Sequence, residues 1–167
     1  MILFHGSNTY FETIHLSKCL PYKDFGKGFY LTLSKRDAFE RAKDKCNKEG
    51  TGVPTVLAFK WDENQKGLNI KRFERMDEEW ANFIVSNRSR KKKQHCDYDI
   101  VIGPVADDGV ILSIQLFEAQ VIDMDTLLAK LKYVRLTIQY CFLTQKAKSV
   151  PSQFAAARAE IDRKSVV

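Results

Sequence analysis

The sequence predicts an α+β fold, on three observations. Segments with period-2 apolar alternation and segments with helical spacing both occur along the chain. They mix without regular βαβ alternation, which argues against a doubly wound parallel sheet. At 167 residues, 44% hydrophobic and 29% charged, the chain is long enough for a real core and close to globular averages.

Taken in order, Ile2 to Ser7 is the first strand. Turn-rich chain broken by Pro21 follows to about Lys27. In the next strand Phe29, Leu31 and Leu33 share one face, expected to enter the core, and Tyr30 and Thr32 share the other. Ser34 followed by Asp37 is a capping-box variant that starts a helix ending near Gly50, with Ala38, Phe39, Ala42 and Cys46 as its apolar stripe. Thr55 to Asp62 alternates as a strand, and Leu68 to Ile70 is a short partner. Met76, Trp80, Phe83 and Ile84 set a helix over Asp77 to Arg88. Tyr98 to Ile102 is a strand stopped by Gly103-Pro104, and residues 105–120 read as helical. Met124, Leu127, Leu128 and Leu131 have helical spacing. The last strand, Thr137 to Thr144, puts Ile138, Tyr140 and Phe142 on one face and Gln139, Cys141 and Leu143 on the other.

Composition excludes several classes. Cys19, Cys46, Cys96 and Cys141 are scattered with no CxxC pair, and His5, His15 and His95 are equally dispersed. No metal site is expected, and free thiols in a reducing compartment are the better reading. No apolar run reaches membrane-spanning length, and Met1 to Phe4 is too short for a signal peptide, so a cytoplasmic protein with no membrane partner is expected. The net charge is +6, and Arg88, Arg90, Lys91, Lys92 and Lys93 concentrate five basic residues in six. That cluster suits a phosphate-bearing partner, or else is a solvated helix end. Residues 1–150 are expected to form the domain and 151–167 a non-native or disordered tail. Asp162 to Val167 look like a translated sequencing-adaptor read, so native sequence is expected to stop somewhere after Val150.

Two motifs carry the chemistry, Phe4-His5-Gly6-Ser7 and Asp24-Phe25-Gly26-Lys27-Gly28-Phe29-Tyr30-Leu31-Thr32. Gly26-x-Gly28 lets backbone approach a ligand closely. It is no dinucleotide fingerprint, because the third glycine is missing and a strand follows where a helix should begin. Asp24-Phe25-Gly26 matches the kinase triplet without the rest of that machinery. Read alone, His5 is more simply a satisfied strand-end histidine and Tyr30 a half-buried strand tyrosine.

In this order, however, the motifs resemble the poly(ADP-ribose) polymerase and diphtheria-toxin branch of ADP-ribosyltransferases. More closely, the chain resembles the bacterial domain-of-unknown-function family 3990, grouped with these transferases. Asn87-Arg88, the run Tyr98 to Asp108 and the late Gln-x-x-Phe-x-Thr add to the resemblance, which covers about residues 1–150. It implies an ADP-ribosyltransferase-like split antiparallel β-sheet core flanked by helices. The implied activity is NAD-dependent mono-ADP-ribosyl transfer, with NAD consumed as substrate, nicotinamide released, and a protein or nucleic acid as acceptor. His5 would hydrogen-bond the nicotinamide-side ribose, Gly6 would offer its backbone to the carboxamide, and Tyr30 would stack on the nicotinamide ring. Ser7, Gly26, Gly28 and Thr32 complete the implied cofactor-binding set. Phe39 is the nearest candidate for a second aromatic, although its spacing matches poorly.

The chain departs from the resemblance at Gln139, where the family's late strand carries a glutamate. Gln139, with Tyr30 and His5, is the implied catalytic set, but an amide brings no negative charge to an oxocarbenium-like transition state. Single-unit transfer is therefore expected rather than chain elongation. A surface-facing strand glutamine is the plain alternative for Gln139. Asp107 and Asp108 place a carboxylate near the pocket or simply start a helix. Asn87-Arg88 binds a diphosphate or ends a helix. Two other functions stay open: an NAD- or ADP-ribose-binding module with weak or no turnover, and a small basic nucleic-acid-binding domain. Transferases of this kind are often paired with an inhibitor, so a small antitoxin partner is also implied.

Overall fold

The computed structural model describes residues 1–64, 66–90, 97–149 and 151–158. Its strands are β1 (Ile2–Ser7), β2 (Phe29–Thr32), β3 (Thr55–Lys60), β4 (Ile70–Arg72), β5 (Ile100–Pro104), β6 (Ile138–Phe142) and β7 (Ser152–Arg158). Its helices are α1 (Lys35–Glu49), α2 (Glu78–Arg88), α3 (Asp108–Glu118), α4 (Met124–Leu131) and the single turn α5 (Gln145–Lys148). The fold is α+β, as expected. The chain divides into two compact units, each assembled from separate stretches.

The first unit comprises Met1–Ile14, Leu31–Gln65 and the described residues from Ser149 on. β1 runs antiparallel to β3 from Ile2↔Lys60 to Ser7↔Thr55 and pairs β2 at Phe4↔Thr32. β3 pairs β7 on its other side, also antiparallel, with a register shift between Ala58 and Phe59. Residues 152–158, which sequence reading places in the tail, therefore form a strand in this unit. Helix α1 covers β1. Its ends follow the sequence signals: Ser34 Oγ accepts from the Asp37 N–H at 3.1 Å, and Gly50 closes the helix at φ 67°. Ala38 and Ala42 are fully buried, and Gly6 lies directly beneath them: a Cβ on Gly6 would stand 1.9 Å from the Ala38 carbonyl oxygen. Leu33, expected on the core face of β2, is 49% exposed because the strand ends at Thr32 and the chain turns into α1.

The second unit comprises His15–Tyr30 and Lys66–Lys148. β5 is its central strand, buried at all five positions. It runs antiparallel to β6, from Ile100↔Phe142 to Pro104↔Ile138, and parallel to β4. The parallel pair is a departure from the all-antiparallel expectation. The β5 strand also continues through Gly103-Pro104 instead of stopping there. On the β4 side the ladder ends just before Pro104: the last pair is Arg72↔Ile102, the Phe73 N–H donates to Ile102 O at 2.8 Å, and proline has no N–H to extend it. The Val105 N–H, which points the other way, donates to Thr137 O at 2.8 Å. Trp80, Ala81 and Ile84 of α2, Val110 and Ile114 of α3, and Leu127 and Leu131 of α4 form the core with Phe25, Phe73, Val101 and Cys141. Asp77, Asp107 and Asp123 cap these three helices, each side chain accepting from a backbone N–H three residues on.

Candidate functional site

The most organised polar group in the second unit centres on Asp24, which is 6% exposed. Its Oδ1 accepts from Arg88 Nη1 at 2.7 Å, and its Oδ2 accepts from the Ala106 N–H at 3.1 Å and from Gln139 Nε2 at 2.8 Å. Three donors on one buried carboxylate satisfy most of its lone pairs, which is the condition for burying a charge at all. Each donor arrives on a different element: Arg88 ends α2, Ala106 follows β5, and Gln139 is the second residue of β6. Gln139 is 5% exposed, so the surface-facing alternative for it does not hold. It faces Gly103 across the β5–β6 ladder, and its Nε2 also donates to the Pro104 carbonyl at 3.5 Å. That carbonyl accepts from Trp80 Nε1 as well, at 3.2 Å.

Tyr30 braces the turn that carries Asp24. Its hydroxyl accepts from the Phe25 N–H at 2.9 Å and donates to Gly26 O at 2.8 Å. Burial pushes the phenol well above its usual pKa, with the neighbouring Cys141 adding to the shift. The Tyr30 ring is half-buried and packs beside the core, its centroid 6.5 Å from that of Phe25. Each residue of Asp24-Phe25-Gly26 thus has a local duty: Asp24 gathers donors, Phe25 is fully buried, and Gly26 adopts φ 91°. Gly28 has a packing reason, since a Cβ there would meet Cys141 Sγ at 2.5 Å and Phe142 O at 2.9 Å. Space for a ligand is not what either glycine requires.

The remaining sequence-derived site residues lie in the first unit. His5 is half-buried, paired with Leu57 across the β1–β3 ladder and edge-on to Phe11 at 5.7 Å. Gly6 is required by the close approach of α1. Ser7 is buried, and its Oγ accepts from the Thr9 N–H at 3.3 Å. Thr32 is also buried, with Oγ1 accepting from the Ser34 N–H at 3.2 Å, so it braces the entry to α1 instead of lining an open face. Phe39 is half-buried under Lys43, whose Nζ stands 5.4 Å from the ring centroid. The structure thus gathers Gln139, Tyr30, Gly26 and Gly28 in one unit and His5, Gly6, Ser7, Thr32 and Phe39 in the other.

The other candidates resolve individually. Asp107 is the α3 N-cap, its Oδ1 accepting from the Val110 N–H at 2.9 Å, and Asp108 is the first residue of that helix. Asn87 is buried and donates back to Phe83 O, while Arg88 is held by Asp24. Arg90 lies over the Tyr22 ring at 5.4 Å. Lys91, Lys92 and Lys93, the rest of the basic cluster, lie outside the described residues. Among the described residues no group of three His, Cys, Asp or Glu side chains converges to hold a metal, and no helix is long and apolar enough to cross a membrane. An open cavity of about 640 Å³, lined by Val85, Ser89, Phe117, Ile122 and Met124 among others, contains none of the sequence-derived site residues.

The Asp24 hub escaped sequence reasoning because its contacts span 64, 82 and 115 residues. Its one trace in the sequence is an aspartate directly before a wholly buried phenylalanine.

Fold and site together define an α+β protein whose β5–β6 pair carries a buried amide held by a buried, ion-paired carboxylate. The chain belongs to the family described as "Protein of unknown function (DUF3990)", which matches it over residues 1–150. No curated protein and no solved structure matches it.

Proposed function

We propose that this protein binds NAD and transfers single ADP-ribose units from it to a macromolecular acceptor. In the reaction the bond between ribose C1 and the nicotinamide nitrogen breaks. Its electron pair leaves with nicotinamide and neutralises the pyridinium charge. The acceptor's nucleophile then bonds to C1 and releases its proton. The observation that supports this reading most is Gln139, a buried β6 amide whose Nε2 is occupied and whose Oε1 receives no hydrogen bond from any described residue. Such an oxygen suits a ribose hydroxyl. The half-buried Tyr30, at the margin of the core, brings an electron-rich ring that suits the nicotinamide.

A neutral amide stabilises an oxocarbenium-like transition state less than a carboxylate would, by roughly 3 kcal/mol on the scale of one well-placed contact. That difference also favours a second reading, an NAD- or ADP-ribose-binding module without turnover. Incubating the purified protein with NAD labelled in its adenosine part and with cell lysate separates the two. Label transfer with nicotinamide release supports the transferase, and saturable binding without release supports the module. Absence of NAD binding refutes both. Tyr30→Ala is a poor probe, because it removes the brace of the Asp24 turn. Gln139→Met, which keeps the volume and removes the amide, and His5→Ala are the informative variants.

A further inference from the structure

We propose that Asp24 is the positioning residue for Gln139, fixing its amide so that position 139 offers an acceptor oxygen and nothing else. The ligand side of this inference rests on the NAD reading above; the clamp itself does not. The orientation of a glutamine amide follows from its neighbours. Here Nε2 faces two acceptors, Asp24 Oδ2 at 2.8 Å and Pro104 O at 3.5 Å. Turning the amide over would press Oε1 against both oxygens and leave a buried carboxylate short of a donor. The carboxylate cannot swing to accommodate the change, because Arg88 Nη1 holds Oδ1 and the Ala106 N–H shares Oδ2.

Two consequences follow. The partner of Gln139 must be a donor, and the bond from Nε2 to a carboxylate polarises the amide and strengthens Oε1 as an acceptor. A ribose hydroxyl therefore meets a neutral oxygen with part of the Asp24 charge behind it. Position 139 is also closed to a carboxylate while Asp24 is present: an acid there would face the Asp24 oxygen where an amide now donates to it. Asp24 and glutamine at 139 are a matched pair.

The test uses the ¹⁵N-labelled full chain, with the Gln139 side-chain amide assigned by its loss in Gln139→Met. In the wild type its two protons should resolve and exchange slowly, and rapid exchange there overturns the proposal. Asp24→Ala, which removes the acceptor, should restore rapid exchange and weaken NAD binding about tenfold, the worth of one oriented hydrogen bond. Asp24→Asn keeps an oxygen facing Nε2 and should retain slow exchange. Unchanged protection in a folded Asp24→Ala variant overturns the proposal. If that variant does not fold, Gln139→Glu decides. The charged and titratable groups on the elements around the new acid are Asp24 and Tyr30, Arg88 of α2 and the Cys141 thiol of β6 itself. Two facing carboxylates hold a proton above the ordinary range near pH 4, so melting temperature should fall as pH rises beyond it, and adding Asp24→Asn should relieve the fall. A Gln139→Glu protein that melts like the wild type at every pH also overturns the proposal. A protected amide in a wild type that binds no NAD supports the clamp and refutes the NAD reading.

Discussion

Replacing Gly6 by alanine separates a packing role from a ligand role at the first motif. The added Cβ would stand 1.9 Å from Ala38 O and 2.9 Å from Ala42 N, whereas ordinary contact begins near 3.4 Å. Helix α1 must therefore retreat by about 1.5 Å, and both clashing atoms are backbone, so no rotamer change absorbs the strain. Overpacking of this kind costs about 1–3 kcal/mol, and a backbone clash belongs at the upper end. Removing glycine from the unfolded chain returns about 0.4–1 kcal/mol. The net expectation is a loss of about 2 kcal/mol, a substantial part of a typical stability of about 5–15 kcal/mol. Urea unfolding followed by helical circular dichroism measures it, read as a lower midpoint at unchanged slope. Gly109→Ala is the control: its Cβ meets only Asp107 Oδ1 at 3.5 Å, and alanine favours the helix. A Gly6→Ala protein within about 0.5 kcal/mol of wild type, on the same scale of packing costs, would refute the reasoning. If it also failed to bind NAD, Gly6 would be a ligand residue first.

Three further perturbations test the second unit. Arg88→Met breaks the ion pair to Asp24; removing one partner of a buried pair costs about 3–5 kcal/mol, but the Arg88 side chain is 32% exposed and two donors remain, so about 2 kcal/mol is expected in urea unfolding. A cost near zero would mean that the pair is solvated in solution. The Thr144 hydroxyl, and then the Asn69 N–H, hold the Asp99 carboxyl below its usual range. The unfolded chain therefore takes up this proton first, and the stability is present above about pH 4 and lost as pH falls through the lower folded pKa. Thr144→Val should flatten that acid limb in a melting series, and an unchanged limb would contradict the assignment. Tyr30 is the converse case: its raised pKa makes stability fall as pH climbs above about 10, where the unfolded phenol ionises. Tyr30→Phe should remove that alkaline loss and the latest-titrating phenolate absorbance; persistence of either would count against a buried hydroxyl.

Local signals were legible wherever the chain alone decides. The Ser34 cap and Gly50 set both ends of α1, and apolar spacing placed α2 and α4 to within a residue or two. Gly103-Pro104 misled because proline's penalty depends on whether a neighbouring strand needs the N–H, a fact of the sheet and not of the chain. The single turn α5 is too short for periodicity, and its start depends on Thr144 Oγ1 accepting from the Ala147 N–H. The strand β7 lay in a run, Gln153 to Arg158, with no apolar alternation, and forms where β3 offers a free edge to pair. At the site, the alternation of β6 placed Gln139 on the right face, but nothing in a single sequence joins residue 139 to residue 24.

The two motifs mix residues that the fold already requires with residues it leaves a free atom on, and only the second kind bears on function. Gly6 and Gly28 are explained by backbone approach, Thr32 and Ser7 by turns, and Phe25 by the core. A match at those positions is what any chain sharing this packing would show, so it says little about NAD. Gln139 differs. A strand as apolar as β6 has no packing need for an amide at its second position, and burying one demands the acceptors that Asp24 and Pro104 supply. Leucine there would spare the fold both that amide and, with Asp24 replaced as well, the buried ion pair; exchanges of buried ion pairs for apolar groups are commonly neutral or stabilising. A polar arrangement that the fold does not need is the part of this molecule whose reason lies outside folding. The free oxygen of Gln139 and its support by Asp24 therefore bear on function, and the glycines of the two motifs bear on packing.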